Sequence, residues 1–259
     1  MLYFKFLKMH FKKLLQYRLS FALSLIAQTL TSTMMLVGMY FLFDRFNAVK
    51  GWTFSQVAIS YSIVFVCFSF TECFFRGVDQ FSKCVKSGSL DAMFTKPRGI
   101  LHQVICSDVE FSKLGRLLVS LIVLAYACSI QPFTWTALKI IEIILMMVCG
   151  VFIFLVLFLL GAAFSIFTIE GTEVVNIFTD GGRELCQYPV DIYGDVIKKI
   201  FTYIIPFACF NYLPMKFIFD MPNVTLWGNI LAPIYGMLFI VPAYIIFRLA
   251  LKKYNSTGT

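Results

Sequence analysis

The chain has 259 residues, 59% of them hydrophobic and 14% charged, with a mean hydropathy of +0.83; ordinary soluble domains are about 45–50% apolar, so an integral membrane protein is expected. No polar stretch is long enough to build a separate soluble core, which leaves one transmembrane domain over residues 1–259. The net charge of +8 does not point to nucleic acid, because the cations flank hydrophobic runs and form no continuous basic face.

Residues 1–19 set Lys5, Lys8, Lys12, Lys13 and Arg18 among Leu2, Phe4, Phe6, Leu7, Phe11, Leu14 and Leu15, a mixture that suits a helix lying in the membrane interface. The stretch is too long and basic for a usual signal peptide and has no small-residue cleavage site, so it is expected to stay attached. These cations ahead of the first apolar run place the N-terminus in the cytoplasm. The first span is expected at 21–43, followed by the outer loop DRFNAVKGWTFS with an interfacial Trp52, and the second at 56–75. The basic segment 76–113 is then cytoplasmic. Spans at 114–130 and 138–168 form a hairpin through QPFTWT, with Pro132 and Trp135 at its outer tip. A last span at 227–249 precedes Lys252, Lys253 and the tail NSTGT.

With both termini inside, the number of crossings is even, so one more lies between 169 and 227. Hydropathy puts it at 200–219, although Pro206 and Pro214 each remove a backbone donor and clash with the preceding turn. The polar stretch EVVNIFTDGGRELCQYPVDIYG (173–194) would then be cytoplasmic. Alternatively the polar stretch itself crosses, and the proline-broken segment dips into the outer leaflet and returns, which requires its backbone to be buried against protein. Composition leaves both open.

No G-x-x-x-x-G-K-[ST], G-x-S-x-G or H-E-x-x-H occurs, so neither ATP binding nor catalysis by this chain is expected. The eight cysteines stand singly, without C-x-x-C spacing, and read as small buried hydrophobes. His10 and His102 are far apart, so no metal site is expected. In FFRGVDQFSKCVKSGSLDAMFTKPRG, Val78, Phe81 and Val85 recur at helical spacing among Arg76, Lys83 and Lys86, with Gly88 placed to end the helix and Pro97 beyond it. A short amphipathic helix under the membrane is expected, docking by its apolar face either on a cytoplasmic partner or on lipid headgroups.

The run KSGSLDAMFTKPRG resembles the signature that follows the second span in ABC-2 type permeases, the membrane subunits of ABC exporters. QYRLSFALSLIAQ, GWTFSQV, FRGVDQFSK, EGTEVVNIFTDGGRELCQYPVDIYG, FTYIIPFACFNYLP and KKYNSTGT are similar, in this order, to a subgroup of small permeases of about this length. The resemblance implies an all-α integral membrane fold: six transmembrane helices, an N-terminal interfacial helix (1–19), a cytoplasmic coupling helix in the loop 76–113, and an outer re-entrant helical element (188–220) after a fifth crossing at 173–187. It implies ATPase coupling through Val78, Phe81, Val85, Lys86, Gly88, Leu90 and Asp91. The partners it implies are two copies of an ABC ATPase carrying ATP and Mg, a second permease that is a different chain, and the lipid bilayer. The location it implies is the cytoplasmic (inner) membrane of a bacterium.

Charges at membrane depth are costly, so Asp180, Arg183 and Glu184 are expected to face the bundle interior or a water-filled path and to pair with one another, with Gly181 and Gly182 placed to break that span. Together with Glu72, Pro206 and Pro214 they are the candidate pathway-lining or gating residues, the alternative for the charges being a structural ion pair. Glu72 is expected to pair with Arg76 one turn away, and Glu142 with Lys139 at the outer end. The main functional expectation is a non-catalytic export permease. Its alternatives are an ATPase-independent channel or ion-coupled carrier, and a membrane immunity or scaffold protein that binds a toxic peptide.

Overall fold

The computed structural model describes residues 2–46, 48–131, 134–168, 172–222 and 224–254; Pro132 of the expected hairpin tip and the NSTGT tail lie outside them. The N-terminal helix α1 (Leu2–Gln16) is separated by Tyr17 from α2 (Arg18–Phe46), so the basic segment folds as its own element. It is tied to the rest by the Tyr3 hydroxyl, which donates to the Phe74 carbonyl at 3.0 Å, and by His10 against the Cys106 carbonyl at 3.3 Å. Helix α2 has 29 residues, about 43 Å at 1.5 Å per residue, enough to cross about 30 Å of hydrocarbon. Only Ser32, Met39 and Phe43 of it are buried, and Leu23, Ile26, Leu30 and Met34 point outward.

The loop after α2 folds as a hairpin, β1 (Ala48–Val49) against β2 (Trp52–Thr53). Lys50 and Gly51 turn it at φ +47° and +84°, the left-handed pair that a two-residue hairpin requires. Trp52, expected at the interface, is 3% exposed and packs on Phe219 and Tyr212 with ring centres 6.0 and 6.5 Å away. A distant segment of the chain folds over the tryptophan.

Helix α3 (Phe54–Phe74) is the centre of the bundle, buried over most of its length; a helix apolar on all sides needs neighbours on all sides. The segment after α3 forms four short helices, α4 (Arg76–Asp79), α5 (Phe81–Lys86), α6 (Ser89–Phe94) and α7 (Ile100–Ser107). Helices α8 (Leu114–Ile130) and α9 (Ala137–Phe167) follow. Helix α8 is antiparallel to α3: Arg116 at its start reaches Ser69, and Gln131 just past its end donates to Ser55 at 2.6 Å. Helix α9 runs parallel to α3, with Cys67 donating to the Met147 carbonyl and Thr71 to that of Val151. A Cβ on Gly150 would lie 2.5 Å from Cys67 Sγ, so the α3–α9 approach needs a glycine there.

Helix α10 (Thr172–Cys186) is unbroken through Gly181 and Gly182, against expectation. Gly182 serves contact instead: a Cβ there would sit 2.7 Å from the Phe207 ring, whereas one on Gly181 meets nothing within 4 Å. Along α3, Arg183 lies beside Phe65 and Phe68, while Asn211 links the Cys186 carbonyl to Ser60 by bonds of 2.7 and 2.6 Å. Helix α10 therefore climbs beside α3 toward the end where α3 starts. Beyond it, the Asp191 carbonyl accepts from Lys50 Nζ at 2.9 Å, level with the β1–β2 hairpin.

The next segment carries α11 (Asp195–Lys199), a π-helical turn at Ile200–Ile204, α12 (Phe207–Phe210) and α13 (Tyr212–Ile218). It bends by 80° between Ile204 and Phe207. Pro206 sits at the bend, where it removes a donor and drives the preceding residue out of the helical region; Ile205 has ψ 104°. Pro214 falls in the first turn of α13, where a missing N–H costs nothing. At its far end Asp220 pairs with Lys139 Nζ at 2.6 Å, near the start of α9. Both ends of the segment thus lie at the end of the bundle where α3 and α9 begin. That pair also corrects the expected Lys139–Glu142 contact, and Glu142 Oε1 is buried with no partner.

The last span is not one helix from 227 to 249. It is a π-helical turn at Leu226–Ile230, α14 (Ala232–Met237) and α15 (Ile240–Lys252). Pro242 cannot donate to the carbonyl four residues back, which accounts for the break at residues 238–239. Among the described residues, five helices are long and apolar enough to cross a membrane, or up to six if the bent pair counts as one span.

Candidate functional site

Glu72, in the last turn of α3 and 6% exposed, gathers three cations from three directions. Arg116 Nη2 of α8 is in close contact with Glu72 Oε2. Lys113 Nζ lies 3.2 Å and Arg76 Nη1 3.3 Å from Oε1. Arg76 also binds Asp79 at 2.5 Å and Glu110 at 2.8 Å. A carboxylate buried this deeply is tolerable because the cations around it offset its desolvation. The expected Glu72–Arg76 pair forms, but Arg116 and Lys113 were not singled out in the sequence. Their approach depends on α8 packing antiparallel against α3.

Arg116 is itself buried and donates from Nε to Ser69 Oγ at 2.8 Å. Its guanidinium lies over Phe68 and Phe65, 5.1 and 5.8 Å from the ring centres. From α10, Arg183 approaches the same rings at 4.8 and 5.5 Å. Arg183 pairs with Asp180 at 3.2 Å and with Glu184; Gln187 in turn donates to Glu184. Arg183 Nε is buried without a partner.

These side chains border a cavity of about 380 Å³ bounded by α2, α3, α4, α8, α9 and α10, with Arg76, Lys113, Arg116 and Arg183 facing Glu72, Asp79 and Asp180 across it. Gln28, Thr31, Asn176 and Thr179 add polar wall. Such a cavity holds water or a polar solute inside an otherwise apolar bundle. At its α4 rim, burial pushes the Asp79 carboxyl above its ordinary value; nearby Glu72 adds to this and Arg76 opposes it.

Among the expected pathway residues, the structure brings Glu72, Asp180 and Arg183 to this cavity. Glu184 stands behind Arg183. Pro206 borders a separate apolar cavity of about 210 Å³ with Leu157, Leu160 and Ile205, and Pro214 is buried in α13, so neither proline lines the charged cavity.

In the loop between α3 and α8, the apolar face expected to dock on a partner or on lipid is consumed inside the chain. Val78, Phe81 and Leu90 have 0% exposure and Val85 has 4%. Phe81 packs edge-on to Phe247 of α15 at 5.5 Å. The reason is geometric: α9 and α15 extend beneath the loop and offer it an apolar surface. What remains outside is Lys83, Lys86, Ser87 and Ser89. They cluster at the turn where Gly88, at φ +67°, separates α5 from α6; Asp91 is half-buried on α6. Among the described residues, no three His, Cys, Asp or Glu side chains are grouped to hold a metal ion.

A family model described as "ABC-2 family transporter protein" matches residues 29–258. No curated protein and no solved structure matches the chain.

Proposed function

The chain belongs to the ABC-2 family of transporter proteins, and from this we propose that it is the membrane-spanning permease subunit of an ABC exporter in a bacterial cytoplasmic membrane. A separate subunit binds ATP and Mg and hydrolyses the nucleotide. Two such ATPases work with two permeases, the second a different chain. Both termini of this chain are cytoplasmic.

The observation that carries the reading is the charge-lined cavity between α3 and α10. Helix α10 is too polar to pass as a span on hydropathy, but it has neighbours for its charges and rises beside α3. We assign it the fifth crossing, and α15 with α14 the sixth. The bent segment 188–220, entering and leaving at one end of the bundle, is the outer re-entrant element. The cavity is then the inner part of the transport path.

The coupling follows from the connectivity. The exposed turn at Lys86–Ser89 meets the ATPase, while Phe81 and Val85 fasten α5 to the ends of α9 and α15. Helix α4, next in the chain, carries Arg76 and Asp79 into the cavity. A push on the turn therefore shifts Arg76 relative to Glu72 and alters the charges lining the path.

The test is gentle affinity purification of the tagged chain from its native membrane. Recovery of an ABC ATPase with a second permease, lost on charge reversal at Lys83 and Lys86, is the expected result. Recovery of the chain alone in several mild detergents would sink the exporter reading.

A further inference from the structure

A groove of about 690 Å³ lies between the α6–α7 loop and α15, apart from the charged cavity and larger than it. Its floor is apolar, with Ile105 on one side and Tyr244, Phe247 and Leu251 on the other, and Arg98, His102 and Arg248 stand at its rim. Among the described residues, no carboxylate lines it. Neither Arg98 nor Arg248 has an ion pair among the described residues, in contrast to the cavity cations, each of which has one. Arg248 instead leans over Tyr244, 5.9 Å from the ring centre. A second recess of about 450 Å³ adjoins it across Arg98 and His102, adds Lys96 and again has no acid in its lining.

The groove sits at a defined depth. Arg248 lies one turn before Lys252, where the candidate span Ala232–Lys252 ends. On the same helix Val241, Ile245 and Leu249 are more than half exposed and face the acyl chains. A phospholipid beside α15 therefore brings its phosphate to Arg248 and its chains to the apolar floor, without leaving the bilayer.

We propose that this groove binds an anionic phospholipid of the cytoplasmic leaflet, its phosphate bridging Arg98 of the α6–α7 loop and Arg248 of α15. The apolar floor favours a lipid over free phosphate, and unpaired cations favour an anionic headgroup over a zwitterionic one. Occupancy fastens the cytoplasmic loop to the last span, so the bound lipid stabilises the arrangement that carries the ATPase-facing turn. The inference rests on the membrane location of α15 and on the cytoplasmic placement of this end proposed above; lipid binding in the groove does not itself require transport.

The test uses the full chain, purified with its partners and separately alone, stripped of lipid and titrated with phosphatidylglycerol or phosphatidylcholine in mixed micelles. Melting temperature and retained lipid by native mass spectrometry are read. Phosphatidylglycerol is expected to raise the melting temperature and to stay bound, phosphatidylcholine to do neither. Half-saturation should weaken by about twenty-fivefold in the Arg98→Gln/Arg248→Gln variant, at about fivefold per cation. Arg98→Lys/Arg248→Lys should keep most of the response, which separates lost charge from a damaged fold. Lys12→Gln/Lys13→Gln, removing the same charge from α1, should respond as the wild type does. An undiminished response in the glutamine variant, or an equal loss in the α1 variant, would overturn the site. An equal effect of glycerol 3-phosphate would make the ligand a free phosphate. Lipid bound by the chain alone but excluded from the assembled complex would assign the groove to a protein partner.

Discussion

Arg116 of α8 and Arg183 of α10 lay their guanidiniums against the same two rings, Phe65 and Phe68 of α3, yet they are anchored differently. Arg116 is locked to Glu72 and Ser69. Arg183 is held by Asp180 and Glu184 of its own helix. The first links two helices, and the second adds no ion pair between α10 and α3 among the described residues.

That difference predicts a split between stability and transport. Glu72→Ala leaves Arg116, Lys113 and Arg76 without their shared carboxylate, and breaking a buried pair from one side costs about 3–5 kcal/mol. The melting temperature of the purified protein should fall sharply, and Glu72→Ala/Arg116→Ala should fall by less than the sum of the two single changes. Arg183→Ala should leave the melting temperature close to that of the wild type while lowering ATP-dependent flux. Equal destabilisation by the Glu72 and Arg183 changes would show that both pairs are structural.

Close helix approaches make a second prediction. A Cβ on Gly77 would lie 1.9 Å from the Val104 carbonyl oxygen, so Gly77→Ala must push α4 off α7. Membrane-inserted, monodisperse protein should drop severely by fluorescence-detected size exclusion. Gly181→Ala, with open space at its Cβ, should be neutral or stabilise α10 by up to about 1 kcal/mol, the helix-propensity gain of alanine over glycine.

The exposed turn at residues 83–89 is separable from its support. Phe81→Ala removes a ring with 0% exposure and should destabilise the chain by about 3–5 kcal/mol. Lys83→Glu/Lys86→Glu should keep the fold and lose ATPase co-purification. A folded Phe81→Ala protein without ATPase would mean that the aromatic ring itself is the docking surface.

The re-entrant reading is tested by single cysteines in a cysteine-free background. Asp195→Cys and Asp220→Cys, both at exposed positions, should be labelled by an impermeant maleimide from outside, and Lys86→Cys only from within. Opposite sidedness of positions 195 and 220 would make 195–218 a true crossing and remove α10 from the membrane.

At the end of the bundle where α3 begins, Asp191 accepts from Lys198 Nζ at 2.6 Å and from the Tyr212 hydroxyl. Burial alone would raise its carboxyl, but these two hydrogen bonds and the nearby Lys198 and Lys216 charges outweigh burial and hold it below 3.8. The sign follows: its contribution to stability is full above its ordinary value and is lost as pH falls through the lowered one. The melting-temperature gap between wild type and Asp191→Asn should be constant above about pH 5 and close below pH 3.8, the ordinary value. A gap unchanged down to pH 2.5, about one unit below the ordinary value, would rule the clamp out.

Hydropathy and basic flanks by themselves determined that this is a membrane protein and where its long spans lie. The expected 114–130 and 138–168 match α8 and α9 to within a residue at either end, because a helix in lipid must be apolar along its length and satisfy its own backbone. The Asp180–Arg183 pair was legible for a related reason, since helical neighbours three apart meet in any helix.

Tertiary structure alone decided what depends on contacts between distant segments. It placed α10 beside α3 despite its charges, and it buried Phe81 and Trp52 under parts of the chain far away in sequence. It also brought Arg116 and Lys113 to Glu72. Periodicity records which face of a helix is apolar, but not whether lipid, a partner or the chain's own helices cover that face. A charge is tolerated at depth according to the neighbours that packing supplies, and those neighbours are assembled only when the helices come together.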